Sequence, residues 1–252
     1  MNWNDVGLIL TAAKHGETSM IIHALTQKNG RCAGLVRGGA GRRMRGVLQQ
    51  GNEVDLTWRG RLVDQLGTFT VEARKSHASN LFDDPLALAA SSSALALLDI
   101  ALPEREPHPA LYDASLYLLN SMEKNIDIWP SLFVKWELGL LGEIGYGLDL
   151  SSCAATGTTE DLVYVSPKTG KAVCRFAGRP YHDRLLHLPA FLQPDPMNLS
   201  LSAAAQKTDI LVGLALTGYF IEKAVLEHRP NVHLAARERF LSILKKSFSD
   251  VA

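Results

Sequence analysis

Asp5–Ala73 contains VGLIL (Val6–Leu10), SMIIHAL (Ser19–Leu25), CAGLV (Cys32–Val36), EVDLTW (Glu53–Trp58) and LGTFTV (Leu66–Val71), separated by HGE, KNG, GGAG and RGR. Short alternating or continuous apolar runs with glycine at the junctions predict five strands. Asn29-Gly30, between the second and third runs, is a hairpin signal because both residues tolerate positive φ, so those two strands lie side by side. Five short strands with glycine turns suggest a small barrel. The count fits an OB-fold, whose open face commonly takes single strands, and on strand number alone it also allows an SH3-like barrel.

After Asn80 the texture changes to Ala, Leu and Ser, with Pro85, Pro103, Pro107 and Pro109 marking starts and stops. Helices are predicted near 86–102, 109–122, 130–145, 200–227 and 233–247. Asp83 and Asp84 before Pro85 form a helix-start pair favoured by the positive N-terminal dipole. Residues 151–188 are irregular, with YVSPKTGKAVC forming a short hairpin around Lys168–Gly170. The chain therefore reads as α+β and multidomain.

The chain has 252 residues, 46% of them hydrophobic, which is ordinary for a globular protein and enough for more than one packed unit. Lys plus Arg and Asp plus Glu are both 26, so the overall balance says nothing about nucleic acid, but the distribution does. Residues 1–75 carry net +5, residues 76–150 net −8 and residues 151–252 net +3. Basic charge gathers at the front, and the acidic helical region repels DNA and suits a basic protein partner. Cys32, Cys153 and Cys174 give no disulfide framework, and the N-terminus lacks the sections of a signal peptide. The longest apolar run, Ile210–Ile221, falls short of the ~20 residues of a membrane span. A reducing cytoplasm is the expected home.

The loop RGGAGRRMRG (Arg37–Gly46) carries Arg37, Arg42, Arg43 and Arg45 among four glycines. Arginines there can contact phosphates while the glycines allow close backbone approach. Arg31, Arg59 and Arg61 are expected to join the same surface, opposed nearby by Glu53 and Asp55. The competing reading is a solvated basic turn. Trp58, Phe69 and Trp3 offer stacking surfaces for bases, but large aromatics are usually buried, and a plug in the barrel is the preferred reading. GRRMRGV lacks the Lys and Ser/Thr of a P-loop, and GGAGRRM lacks the third glycine of a dinucleotide fingerprint. With no GxSxG, no HExxH and no acidic cluster, the sequence predicts a non-enzyme without a cofactor.

In WELGLLGEIGYGLDLSSC (Trp136–Cys153), Leu138, Leu141 and Ile144 recur at helical spacing before Gly145 and Gly147 break the pattern, predicting a buried helix with a glycine stop. Taken with ETSMIIHALTQKNGR (Glu17–Arg31), in this order and spacing, the chain resembles the RecO family of bacterial DNA repair and recombination proteins over nearly its whole length. LEHRPNVHLAARERFLSILKK (Leu226–Lys246) resembles that family's closing segment.

The resemblance favours an N-terminal OB-fold β-barrel at 1–78, an all-helical domain at 79–150 and 189–252, and a degenerate zinc-ribbon-like insertion at 151–188. It implies a recombination mediator that binds single- and double-stranded DNA, anneals complementary strands and helps RecA load on coated strands. Implied partners are RecR and single-stranded DNA-binding protein, with RecF and RecA acting in the same process. Relatives with zinc carry two CxxC pairs; here Thr156 follows Cys153 and Ala177 follows Cys174 at those positions. Two thiolates cannot close a structural zinc site, and His182 and His187 do not restore ligand spacing, so no metal is expected. In FVKWELGLL, Lys135 beside Phe133, Trp136 and Leu140 is the site the resemblance suggests for the acidic C-terminal tail of single-stranded DNA-binding protein. Two other readings remain: an RNA- or ribosome-associated OB protein, and a hydrolase using the Cys153–His187 segment.

Overall fold

The computed structural model describes residues 1–61, 66–124, 128–193 and 203–249. The predicted runs become β1 (Asn2–His15), β2 (Ser19–Thr26), β3 (Gly30–Val36), β4 (Glu53–Arg59) and β5 (Gly67–Lys75), closed into a barrel in the order β1-β2-β3-β5-β4. The β3–β5 pairing is parallel and the others are antiparallel. A register shift between Ile9 and Thr11 lets β1 serve two partners, β4 along its first half and β2 along its second.

Every second residue points into the barrel. Ile22 and Ala24, Cys32 and Val36, Val54, Leu56 and Trp58, and Phe69 and Val71 form one buried cluster. VGLIL is continuous rather than alternating because α3 (Pro85–Ala101) packs against β1 and β2, and Leu8, Ile9 and Leu10 are all fully buried. The hairpin at Asn29-Gly30 forms as expected, with Thr26 opposite Gly30. Gly30 has φ +69°, and a Cβ there would lie 2.1 Å from the backbone of Glu106. Only glycine allows the linker after α3 to press so close.

Between β3 and β4 the chain makes a short helix, α1 (Arg42–Val47), where the sequence reading has only a loop. Met44 and Val47 pack on the barrel core and Leu48 is buried. The Asn52 amide donates to the carbonyls of Gly46 (2.7 Å) and Val47 (3.2 Å), which closes the helix. α2 (His77–Asn80) and α4 (Pro109–Glu123) follow the barrel on either side of α3. The predicted helix-start pair works through Asp84, whose carboxylate accepts the N–H groups of Leu86 and Ala87 at 3.0 Å.

The chain divides into two compact units, Met1–Ile126 with Leu234–Lys246, and Asp127–His233 with Ser247–Ala252. Within the first unit α3 packs on the barrel. The second unit contains α5 (Trp129–Glu143), β6 (Leu162–Val165), β7 (Ala172–Cys174), α6 (Arg175–Gly178), β8 (Leu186–His187) and α7 (Ala203–His228). Most of α8 (Ala235–Ser249) belongs to the first unit. The predicted start of α7 at 200 lies outside the described residues.

α5 and α7 pack closely: a Cβ on Gly213 would meet Val134 Cγ1 at 2.9 Å. Buried Glu137 accepts the Thr217 hydroxyl across the same contact. The 151–188 stretch holds a three-stranded antiparallel sheet in the order β7-β6-β8, with the predicted turn at Lys168–Gly170 closed by Ser166 N–H to Lys171 O at 2.9 Å. No described helix is long and apolar enough to cross a membrane.

Candidate nucleic-acid interface

Strand register assembles the site. Ala13 lies opposite Ile21, Ile21 opposite Leu35, Leu35 opposite Thr68 and Thr68 opposite Arg59. These residues alternate with the core residues and so point outward. At ~4.8 Å per strand step, the row covers about 19 Å of barrel surface. Ile21, Leu35 and Thr68 are half-buried, Arg59 at the end of the row is exposed, and exposed Arg37 sits two residues beyond Leu35 on the same face.

From Arg37 the chain enters the glycine-rich loop, which is pinned by Ala40 N–H to Thr18 O at 3.0 Å. α1 then turns Met44 and Val47 inward, and this leaves Arg42, Arg43 and Arg45 exposed. Arg61, just past β4, is exposed as well. The Glu53 and Asp55 carboxylates are engaged by another arginine. Arg74 on β5 holds Glu53 at 2.5 Å and Asp55 at 3.0 Å. Six of the seven predicted arginines thus stand open around the barrel.

Arg31 does not, and its assignment to a phosphate-binding surface is corrected. Its outward side is roofed by α3 and the following linker, leaving it 6% exposed. Nε donates to Leu102 O at 2.9 Å, Nη1 reaches Asp99 at 3.3 Å and Nη2 reaches Glu104 at 3.5 Å. His23, beside it, bonds the same Asp99 at 2.7 Å, and that hydrogen bond raises the imidazole's pKa despite partial burial. Asp99 escaped the sequence reading because no local pattern reveals a partner 68 residues away from Arg31.

Trp58 and Phe69 are each 4% exposed and fill the barrel, as the plug reading expects. The peptide-binding cluster on α5 is also corrected. Phe133 and Leu140 are fully buried and Trp136 is 4% exposed, so they form core, and only Lys135 of the four is open to solvent. Their spacing places them on one helix face, which turns inward.

In the 151–188 stretch, the Cys153 sulfur accepts the N–H of Cys174 at 3.2 Å, and Thr156 Oγ1 lies 3.7 Å from the Cys174 sulfur. Burial pushes the Cys153 thiol pKa up but is outweighed by the Cys174 N–H, the Thr156 hydroxyl and the N–H groups of Ala155 and Thr156, which bring it down to about 6. Two sulfurs and a hydroxyl are not a tetrahedral zinc set. Among the described residues, no group of three or more His, Cys, Asp and Glu is placed to hold a metal ion. His182 contacts Asp183 at 2.9 Å, and the His187 ring lies 5.5 Å from that of Tyr164.

A mixed α+β chain whose N-terminal barrel presents an arginine-framed face defines a class, and sequence comparison narrows it. The family model described as Recombination protein O N terminal matches residues 1–77, and that described as Recombination protein O C terminal matches residues 83–232. The chain is 49% identical over 249 residues to the DNA repair protein RecO of Rhodospirillum centenum, covering 98% of this chain and 96% of that one. It is 46% identical over 249 residues to the DNA repair protein RecO of Ruegeria, covering 98% and 99%. With that of Beijerinckia indica it shares 44% over 252 residues, covering 100% and 98%. The chain belongs to the RecO family of DNA repair and recombination proteins.

Proposed function

We propose that this chain is a recombination mediator that binds single- and double-stranded DNA through its barrel, anneals complementary strands without ATP, and with RecR assists RecA loading on strands coated by single-stranded DNA-binding protein. RecF belongs to the same process. The reading makes the protein a non-enzyme without a cofactor, working in the cytoplasm at the nucleoid. It takes the barrel as an OB-fold, supported by the strand order β1-β2-β3-β5-β4 and by a helix between β3 and β4. It keeps residues 1–78 as the nucleic-acid-binding domain, 79–150 and 189–252 as the helical domain, and 151–188 as a degenerate zinc-ribbon-like insertion lacking the full cysteine set.

The observation that carries the reading is the set of six exposed arginines, Arg37, Arg42, Arg43, Arg45, Arg59 and Arg61, around one barrel in a chain of this family. Annealing brings two polyanions together, and a cationic surface lowers their repulsion while releasing counterions. Contact with the coating protein would place that surface where displacement is needed. Lys135 is the exposed cation left from the suggested peptide site, and the apolar part of that site lies elsewhere than on Phe133, Trp136 and Leu140.

The test is annealing of complementary strands precoated with single-stranded DNA-binding protein, without ATP. The wild type accelerates it and Arg42→Ala/Arg43→Ala/Arg45→Ala does not. A wild type with no effect on coated strands would remove the mediator reading. Stronger binding to matched RNA than to DNA would favour an RNA-binding protein instead.

A further inference from the structure

A cavity of about 300 Å³ opens at one end of the barrel, lined by residues including Trp3, Lys28, Asn29, Cys32, Trp58 and Arg105. That is the small end of the ~300–1,000 Å³ range of ligand pockets, room for one nucleotide unit rather than a duplex. Its walls are aromatic and cationic. Trp3 stacks on Trp58 with ring centroids 5.8 Å apart and planes 10° from parallel, and Phe69 meets Trp3 edge-on at 5.9 Å. Trp58 and Phe69 are buried, whereas Trp3 is only half-buried. The inner rings therefore fix the orientation of Trp3 and leave it as the aromatic surface within reach of a ligand.

The cations are positioned too. The Arg105 guanidinium lies over the Trp58 ring, 5.8 Å from its centroid, and Arg105 N–H is bonded to Arg31 O at 2.8 Å. Lys28 is exposed on the KNG turn. Asp5 holds that turn rigidly, accepting the N–H of Lys28 at 2.9 Å, the N–H of Asn29 at 3.2 Å and the Asn29 amide at 2.8 Å. The Cys32 thiol is pushed up to about 11 by burial, so this wall is neutral and unreactive. Arg59, adjacent to Trp58 in β4, is an exposed cation at the same end of that strand.

We propose that this cavity receives a single unstacked base of a DNA strand, laid against Trp3, with its phosphate reaching Lys28 or Arg105. The proposal rests on the DNA-binding reading above and adds a base contact to an interface otherwise made of phosphate contacts. A base paired in a duplex cannot enter, so the pocket favours single strands and releases them on pairing. This suits a protein that anneals them.

The test compares binding of a thymidine 15-mer with that of an abasic deoxyribose-phosphate 15-mer of equal charge, using the full-length protein. Wild type prefers the thymidine strand by about tenfold or more, the gain from one stacked base. Trp3→Phe keeps most of that preference and Trp3→Ala loses it, while all three proteins share one salt slope because the phosphate contacts are untouched. As Trp3→Ala could also loosen the barrel, a second readout uses wild type alone: photocrosslinking of a 5-iododeoxyuridine strand, expected on the peptide containing Trp3. Equal affinity for both strands, or crosslinks only on other peptides, would overturn the base pocket and leave the phosphate-binding surface standing. Failure to bind either strand would overturn both.

Discussion

The two ends of β3 carry arginines into opposite circumstances. At its start, Arg31 lies beneath α3 and the Leu102–Glu106 linker, bonded to Asp99, Glu104 and a carbonyl. Just past its end, Arg37 and the α1 arginines face solvent, while Glu53 and Asp55 on β4 are held by Arg74. Both ends carry an arginine next to a glycine, Gly30-Arg31 and Arg37-Gly38. What differs is the cover brought over the strand by residues about 70 positions downstream. An arginine offered to phosphate must be one that the fold leaves uncovered, while a covered arginine works as a fastener between barrel and helices.

Breaking the covered end gives the largest expected effect. Arg31→Ala leaves Asp99 and Glu104 without their buried partner and should cost about 3 kcal/mol of stability, read from urea unfolding. The salt slope of DNA binding should stay unchanged. An unchanged unfolding midpoint would mean that the pairing contributes nothing. Gly30→Ala attacks the same seal through the backbone. The left-handed conformation and the collision with Glu106 together predict a loss of about 2 kcal/mol, checked by thermal melting.

Two histidines sharpen the contrast through pH. The folded pKa of His23 is raised by its bond to Asp99, so its contribution is fully present below the unfolded value of 6.5 and is lost as pH rises through the folded one. The pKa of His77 is lowered, chiefly by burial, although Glu123 pulls it the other way. Its contribution is present above 6.5 and lost as pH falls. Urea midpoints from about pH 5 to 8 should therefore change slope in opposite senses for His23→Gln and His77→Gln. Slopes that change in the same sense would contradict this assignment. The smallest stability effect belongs to the open end. Arg42→Ala/Arg43→Ala/Arg45→Ala should shift stability by no more than about 0.5 kcal/mol, since these side chains hold no buried partner.

The strands, the Asn29-Gly30 hairpin, the Asp84 cap and most helix positions were legible in the sequence because each depends on local period or turn chemistry. The burial of Arg31 was not, as it arises from packing between distant segments. α1 left a faint trace: Met44, Val47 and Leu48 stand at helical i, i+3, i+4 spacing inside a stretch that glycine and arginine content marks as a loop. Phe133, Trp136 and Leu140 share a face because that face is core, and a helix so apolar is more readily buried than offered to a peptide. In the 151–188 stretch the sequence showed two cysteines, Cys153 and Cys174, where the resemblance implied two CxxC pairs in zinc-holding relatives. It did not show that the N–H groups around Cys153 still converge on its sulfur.

On the proposed function, the open end of β3 and its surroundings form the DNA-binding surface. The most direct measurement is the dependence of single-strand affinity on salt for wild type and for Arg42→Ala/Arg43→Ala/Arg45→Ala. Six open arginines, each neutralising one phosphate at roughly −0.7, predict a slope near −4 for the wild type, and losing three predicts about −2. A triple variant that keeps the wild-type slope would contradict the claim and move the DNA-binding surface away from α1.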